Sequence, residues 1–134
     1  MSALVLDASV ALSWVLHEQE EYASIAVQAA FADGAHVPSL WVYEIQNVLA
    51  LITRRGRLTL NDARTACSAI ASIPTQVHAP KGLGREFSLG VQSGLTAYDA
   101  SYLCIAQDLQ LPIATLDEEL SRAAQILGIT AFHA

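Results

Sequence analysis

Four acidic residues stand where the packing of a small protein does not explain them. Glu44 and Asp99 are each the only charged residue of a long, mostly apolar segment, and Asp7 and Asp117 come at the ends of short apolar runs. Two carboxylates about 4 Å apart repel by about 4 kcal/mol at an effective dielectric near 20. If these four meet, they require a cation, and oxygen ligands without Cys or His suit Mg²⁺ or Mn²⁺.

Three of the four acids also have a local explanation. Asp7 and Asp117 occupy positions typical of helix N-caps, and Asp99 follows Thr96 at the spacing of a capping box. Glu44 has no such explanation, because a glutamate in the middle of an apolar helix is costly unless something compensates its charge. A binding module whose aspartates only cap helices is the alternative, and Glu44 argues against it.

Short apolar runs alternate with helical patterns along the whole chain, which predicts an α/β fold of three layers around a mostly parallel sheet. The predicted helices cover residues 8–16, 22–32, 40–55, 60–73, 85–92, 97–110 and 118–127. The predicted strands cover residues 3–6, 36–38, 76–78, 112–115 and 129–132. If the first and fourth strands are neighbours, Asp7 and Asp117 emerge side by side where ligands bind in open parallel sheets, and Glu44 and Asp99 can point to the same spot.

Length and composition limit the classes of protein. With 134 residues, 53% of them hydrophobic, the chain predicts one domain over residues 1–134. No stretch is long enough to span a membrane, and no basic region precedes the first apolar run, so we expect a cytoplasmic protein. The two cysteines are expected to be buried free thiols. The net charge of −6 argues against binding to nucleic acid. If the four acids are set aside as a metal site, however, nine acidic and seven basic residues remain, and the rest of the chain is close to neutral.

Several blocks match a known family in order, spacing and neighbouring residues. The sequence resembles PIN-domain ribonucleases and, among them, the VapC toxins of bacterial toxin–antitoxin pairs. The matching blocks are LVLDAS at 4–9, VPSLWVYE at 37–44, NVL at 47–49, LTAYDASYL at 95–103 and PIATLD at 112–117. Residues 58–87 carry no distinctive family signal.

The resemblance implies a PIN-like α/β/α fold with a five-stranded parallel sheet of order 3-2-1-4-5. It implies that Asp7, Glu44, Asp99 and Asp117 bind one or two divalent metals, which activate a water to attack an RNA phosphodiester. Asp7 and Asp99 are then the main ligands, with Glu44 and Asp117 at a second site or acting through water. Ser9 and Thr115 are candidates to orient a carboxylate.

Other polar residues are candidates for supporting roles. Asn47 lies one helical turn from Glu44 and could hydrogen-bond it or the substrate. Arg54, Arg55 and Arg57 cluster at the end of the same helix, where they either favour the helix dipole or contact RNA phosphates. By analogy with the family, and with the high mean hydropathy of +0.37, we expect a homodimer and a VapB-like antitoxin partner.

Two other enzyme classes are weaker alternatives. A response-regulator receiver needs a lysine near its fourth or fifth strand, whereas the only lysine here is Lys81, in a predicted loop. A glycosidase with paired carboxylates needs a sugar groove that so small a sheet domain does not offer.

Overall fold

The computed structural model describes residues 3–18 and 20–133. In this part of the chain, seven helices cover a four-stranded parallel sheet. The strands are β1 (Leu4–Leu6), β2 (Ala35–Pro38), β3 (Thr75–His78) and β4 (Ile113–Ala114). The helices are α1 (Ala8–Leu16), α2 (Glu20–Asp33), α3 (Leu40–Arg54), α4 (Leu60–Ala71), α5 (Arg85–Ser93), α6 (Ala97–Leu109) and α7 (Glu118–Ile126).

The sheet has the order β3-β2-β1-β4, and every pair in it is parallel. All three residues of β1 are almost completely buried, which is expected for a parallel strand covered on both faces. From β1 the chain adds β2 and β3 on one side and β4 on the other, so the direction of strand addition reverses between β1 and β4. The prediction that the first and fourth strands are neighbours is therefore confirmed.

The predicted fifth strand is wrong. Residues 129–132 form only one isolated parallel bridge, between Ala131 and Ile113. The N–H of Ile113 donates to the Thr130 carbonyl at 3.0 Å, and the N–H of Phe132 donates to the Ile113 carbonyl at 2.9 Å. Because β4 contributes only two residues to the sheet, the edge segment finds a single residue to pair with and no ladder forms.

The seven predicted helices are present, with ends that differ by at most two residues. For example, α3 ends at Arg54 rather than Arg55, and α4 ends at Ala71 rather than Ile73. Such differences are typical of fraying helix termini. Within the described ranges, no helix has the length and apolar character that are needed to cross a bilayer.

The two cysteines differ in exposure. Both are free thiols, and Cys104 is buried as predicted, but Cys67 is exposed. The prediction for Cys67 fails because α4 turns Ala63, Ala66 and Ile70 toward the core and leaves Cys67 on its outer side.

Helix α5 anchors α6, the helix that carries Asp99. At one end of α5, the Arg85 guanidinium contacts both carboxylate oxygens of Asp108 on α6, at 2.6 and 2.7 Å. Further along α5, Gly90 is buried against the turn that leads into α6. A Cβ atom at position 90 would lie 2.9 Å from the Leu95 carbonyl oxygen, closer than packed Cβ atoms come. The absence of a side chain at Gly90 therefore lets the start of α6 pack closely.

Gly90→Ala should destabilise the protein by about 1–3 kcal/mol, because the clash is with backbone and cannot be relieved by a side-chain rotation. Helix propensity alone would favour alanine by up to about 1 kcal/mol. A loss of stability would therefore show that the clash at position 90 outweighs helix propensity. Thermal unfolding of Gly90→Ala measures the change in stability. The control is Ser88→Ala, on the exposed side of α5. Ser88→Ala should change the stability by less than about 0.5 kcal/mol. An unchanged or higher melting temperature for Gly90→Ala would contradict the close packing.

Candidate active site

Asp7 lies directly after β1, at the point where the direction of strand addition reverses. The parallel pairing of Leu6 with Ala114 places the residues that follow these two strands next to each other. The Asp7 N–H donates to the Ala114 carbonyl at 3.0 Å, so the backbone of Asp7 is fixed to β4. The Asp7 side chain is only 8% exposed.

Two hydroxyl groups hold one oxygen of the Asp7 carboxylate. Ser9 and Thr115 each donate to Oδ2, both at 2.7 Å. Each hydroxyl in turn accepts a backbone N–H, Ser9 from Leu116 at 3.1 Å and Thr115 from Asp117 at 3.0 Å. Because a backbone N–H can only donate, each hydroxyl accepts from its N–H and turns its own proton to Asp7. The start of α1 and the segment after β4 are thereby joined through one carboxylate oxygen.

Glu44 projects from the second turn of α3 and is half-buried. Its Oε1 accepts a hydrogen bond of 2.5 Å from the hydroxyl of Tyr102 on α6. The same hydroxyl accepts a longer bond, of 3.4 Å, from the N–H of Ala8 at the start of α1. Tyr102 is completely buried, and it therefore joins three helices next to the Asp7 carboxylate.

Asp99 and Asp117 lie in or before the first turns of α6 and α7. Thr96 caps α6 by accepting the N–H of Asp99 at 3.1 Å. Asp117 caps α7 with Oδ1, which accepts the N–H of Glu119 at 2.9 Å and that of Leu120 at 3.4 Å. The capping explanation thus holds for Asp117, whereas the Asp7 side chain makes no capping bond to α1.

Neighbouring carboxylate charges help to raise the pKa of Asp7, Glu44 and Asp99. Burial raises the pKa of Asp7, the hydrogen bonds from Thr115 and Ser9 lower it in part, and the charge of Asp117 raises it further. Burial raises the pKa of Glu44, and the charges of Asp7 and Asp99 add to this. The pKa of Asp99 is raised by burial and then by the charges of Asp117 and Asp7. The four predicted acids therefore share one electrostatic environment.

Comparison with known proteins identifies a family that covers all four acids. The family model of the PIN domain matches residues 4–126. The chain belongs to the PIN domain family. Ribonuclease VapC9 of Mycobacterium tuberculosis is 32% identical over 122 residues, with 91% of each chain covered. Ribonuclease VapC3 of Pyrobaculum aerophilum is 33% identical over 122 residues, covering 88% of this chain and 92% of its own.

A solved structure agrees with the PIN fold. The crystal structure of PAE2754 from Pyrobaculum aerophilum superimposes with a TM-score of 0.72 at 26% sequence identity, and the match covers 92% of this chain and 79% of that one. The α/β fold with a parallel sheet, implied by the sequence resemblance, is therefore confirmed, with four strands instead of five.

The donor set of this PIN domain suits a hard divalent cation. Its oxygens come from carboxylates, which Mg²⁺ and Mn²⁺ prefer. Over residues 3–18 and 20–133, no three Asp, Glu, His or Cys side chains are placed so as to hold one metal ion together. Mg²⁺ is usually bound through one or two carboxylates, with waters and substrate phosphates completing its shell. An ion at this site would therefore be held by no more than two of these side chains, with water and substrate oxygens completing its shell.

Sequence reasoning placed some polar residues correctly and missed one. The contacts of Ser9 and Thr115 with Asp7 are present. Asn47 is exposed, and within the described part of the chain Glu44 bonds to Tyr102 and not to Asn47. Tyr102 was missed because a tyrosine in an apolar helix predicts core packing. The available signal was its position three residues after Asp99, on the same face of α6.

Glu44→Gln should raise the melting temperature of the metal-free protein. The substitution removes a charge that Asp7 and Asp99 repel, while the amide oxygen can still accept from Tyr102. A partly exposed charge contributes up to about 1 kcal/mol, or about 3 °C for a chain of this length. Thermal unfolding in EDTA measures the effect, with exposed Glu21→Gln on α2 as the control without a rise.

The gain from Glu44→Gln should grow with pH. A carboxyl whose folded pKa is raised binds more protons in the folded than in the unfolded state, so its ionisation costs stability as the pH rises from about 4 through the folded pKa. The difference from wild type should therefore be small near pH 4 and full above the raised pKa of Glu44. A difference that is constant or shrinks with pH would contradict a crowded acidic site.

Proposed function

We propose that the chain is a Mg²⁺- or Mn²⁺-dependent endoribonuclease that hydrolyses RNA phosphodiester bonds as a VapC-type toxin. The observation that carries this proposal is the buried Asp7 carboxylate, which Ser9 and Thr115 hold by Oδ2 within range of the charges of Glu44, Asp99 and Asp117. The ribonuclease names of the relatives support the reaction, and RNA as substrate implies a cytoplasmic site of action.

Each acidic residue has a distinct role in the proposal. Asp7 and Asp99 would hold the divalent ion, and Glu44 and Asp117 would act at a second site or through water. Asp7 would use Oδ1, since Oδ2 already accepts two hydroxyl protons. Asp117 would use Oδ2, because Oδ1 caps α7. The ion, when bound, activates water for attack on the phosphorus and stabilises charge on the leaving oxygen.

The basic residues at the C-terminal end of α3 and just beyond it would lie too far away to contact the scissile phosphate. Arg54 is ten residues beyond Glu44, which corresponds to about 15 Å along the helix axis. Arg54, Arg55 and Arg57 are all exposed. Their proposed role is to bind phosphates of nucleotides that flank the cleavage position, while Asn47, exposed on the same helix, contacts the substrate.

Exposed apolar side chains favour the proposal that the chain binds protein partners. A groove of about 350 Å³ between α5, α6 and the start of α3 is lined by Leu40, Leu83, Phe87, Tyr98 and Ile105. Of these, Leu83, Phe87 and Tyr98 are exposed. Apolar patches on small proteins commonly mark interaction sites. We propose that a second copy of this chain and an antitoxin together cover this surface and the opening of the acidic site.

The alternative of a non-catalytic binding module fits Asp117, whose carboxylate caps α7. It does not fit Asp7 or Glu44. The Asp7 side chain caps no helix, and Glu44 lies inside α3, where a charge adds nothing to the helix itself.

Asp7→Asn and Asp99→Asn should each lower metal-dependent RNA cleavage by at least about 100-fold, because loss of a residue that only supports a ligand already costs about 10–100-fold. The measurement is cleavage of a mixed RNA pool with Mg²⁺ or Mn²⁺, and EDTA should abolish the wild-type reaction. Asp33→Asn is the matched control, since Asp33 is exposed at the end of α2, before β2 and so at the opposite sheet edge. Full activity in either site variant would overturn the assignment.

Expression of the wild-type chain alone should stop bacterial growth, because an unrestrained ribonuclease destroys essential RNA. Growth should be normal with Asp99→Asn, and arrested with Asp33→Asn at equal protein levels. Co-expression of the protein encoded next to this chain's gene should restore growth if that protein is the antitoxin. Normal growth with abundant wild-type protein would favour the binding-module alternative.

A further inference from the structure

Tyr102 is a buried polar residue whose contacts are with the acidic site. It has no exposed surface, yet its hydroxyl lies 2.5 Å from Oε1 of Glu44 and 3.4 Å from the N–H of Ala8. Ala8 directly follows Asp7 in the chain. One hydroxyl group thus connects the helix that carries Asp99, the helix that carries Glu44 and the residue next to Asp7.

The direction of the hydrogen bonds follows from the donors present. A tyrosine hydroxyl has one proton, and Ala8 N–H can only donate. The hydroxyl proton therefore points to Glu44, whose Oε1 is the acceptor. A length of 2.5 Å is typical of a charge-assisted bond between a hydroxyl and a carboxylate. Oε2 of Glu44 accepts no hydrogen bond from the described side chains, and it is the oxygen left for an ion or a water.

We propose that Tyr102 is a positioning residue that fixes the Glu44 carboxylate, so that Glu44 presents a single oxygen to the divalent ion. The proposal rests on the proposed function, because it requires an ion at this site. Glutamate has three side-chain torsions, and a half-buried glutamate without an anchor would lose conformational freedom on binding the ion. Groups that hydrogen-bond metal ligands typically contribute about 10–100-fold to metal affinity or activity.

Tyr102→Phe tests the role directly, since it removes only the hydroxyl and keeps the ring in the core. Titration calorimetry of metal-free protein with Mn²⁺ should give a Kd about 10–100-fold higher than for wild type. Cleavage of an RNA oligonucleotide should show a lower kcat with little change in KM, because buried Tyr102 cannot touch RNA. Tyr43→Phe is the matched control. Tyr43 is exposed on α3, and in the described part of the chain its hydroxyl makes no hydrogen bond to any of the four acids, so the Mn²⁺ affinity should stay unchanged.

A double-mutant cycle separates positioning from a purely structural role. If Tyr102 acts through Glu44, Tyr102→Phe should weaken Mn²⁺ binding in the wild-type background and add little in the Glu44→Ala background, which has no side-chain oxygen for the hydroxyl to position. An equal loss in both backgrounds, or no loss in either, would overturn the proposal. If Tyr102→Phe does not fold, Glu44→Asp retains the charge and draws it away from the hydroxyl, and unchanged Mn²⁺ affinity in that variant would overturn the proposal as well.

The outcomes also separate this proposal from the proposed function. Wild-type protein that binds Mn²⁺ and cleaves RNA, with a Tyr102→Phe variant of equal affinity, rejects only the role of Tyr102. Wild-type protein that neither binds Mn²⁺ nor cleaves RNA rejects both.

Discussion

The buried carboxylate of Asp7 is the constraint on which the site depends. A charge with 8% of its surface exposed is costly unless hydrogen bonds and an opposite charge compensate it. Ser9 and Thr115 supply two strong bonds to one oxygen, but the described residues bring no Lys or Arg into an ion pair with it. The pKa of Asp7 therefore stays above its usual value despite those bonds. What the described residues do not supply is a positive charge to balance the buried carboxylate of Asp7.

The groups that surround Asp7 come from distant parts of the chain, and the parallel sheet brings them together. Thr115 is 108 residues from Asp7, and Tyr102 is 94 residues from Ala8. In a parallel sheet all strands end at the same edge, so the segments that follow β1, β2 and β4 lie close together there. No local segment contains the site, and any shift of α6 against the sheet would separate Tyr102 from Glu44.

The parts of the site that were predictable from sequence are those with a local signal. An isolated acid in an apolar segment identifies Glu44 and Asp99, and an acid at the end of an apolar run identifies Asp7. The partner of Glu44 has a weaker signal, because a tyrosine in an apolar helix also fits core packing. Glu44 bonds to Tyr102, 58 residues away, instead of Asn47, one turn along α3, because the helix rotation that buries Glu44 against α6 leaves Asn47 exposed. The prediction of a fifth strand was wrong for a similar reason, because the pairing of that segment depends on the number of residues in β4.

Different groups stabilise the charges of the four carboxylates, and this affects how an ion would bind. Hydroxyl groups hold Asp7 and Glu44, whereas Asp99 and Asp117 lie at helix N-termini, which favour negative charge. In the described part of the chain, no three of these side chains are placed so as to hold one ion together. On the proposed function, an ion held by one or two of them needs a further oxygen, and an RNA phosphate supplies it. Ion and RNA would then bind cooperatively, and by linkage each would raise the affinity for the other by the same factor.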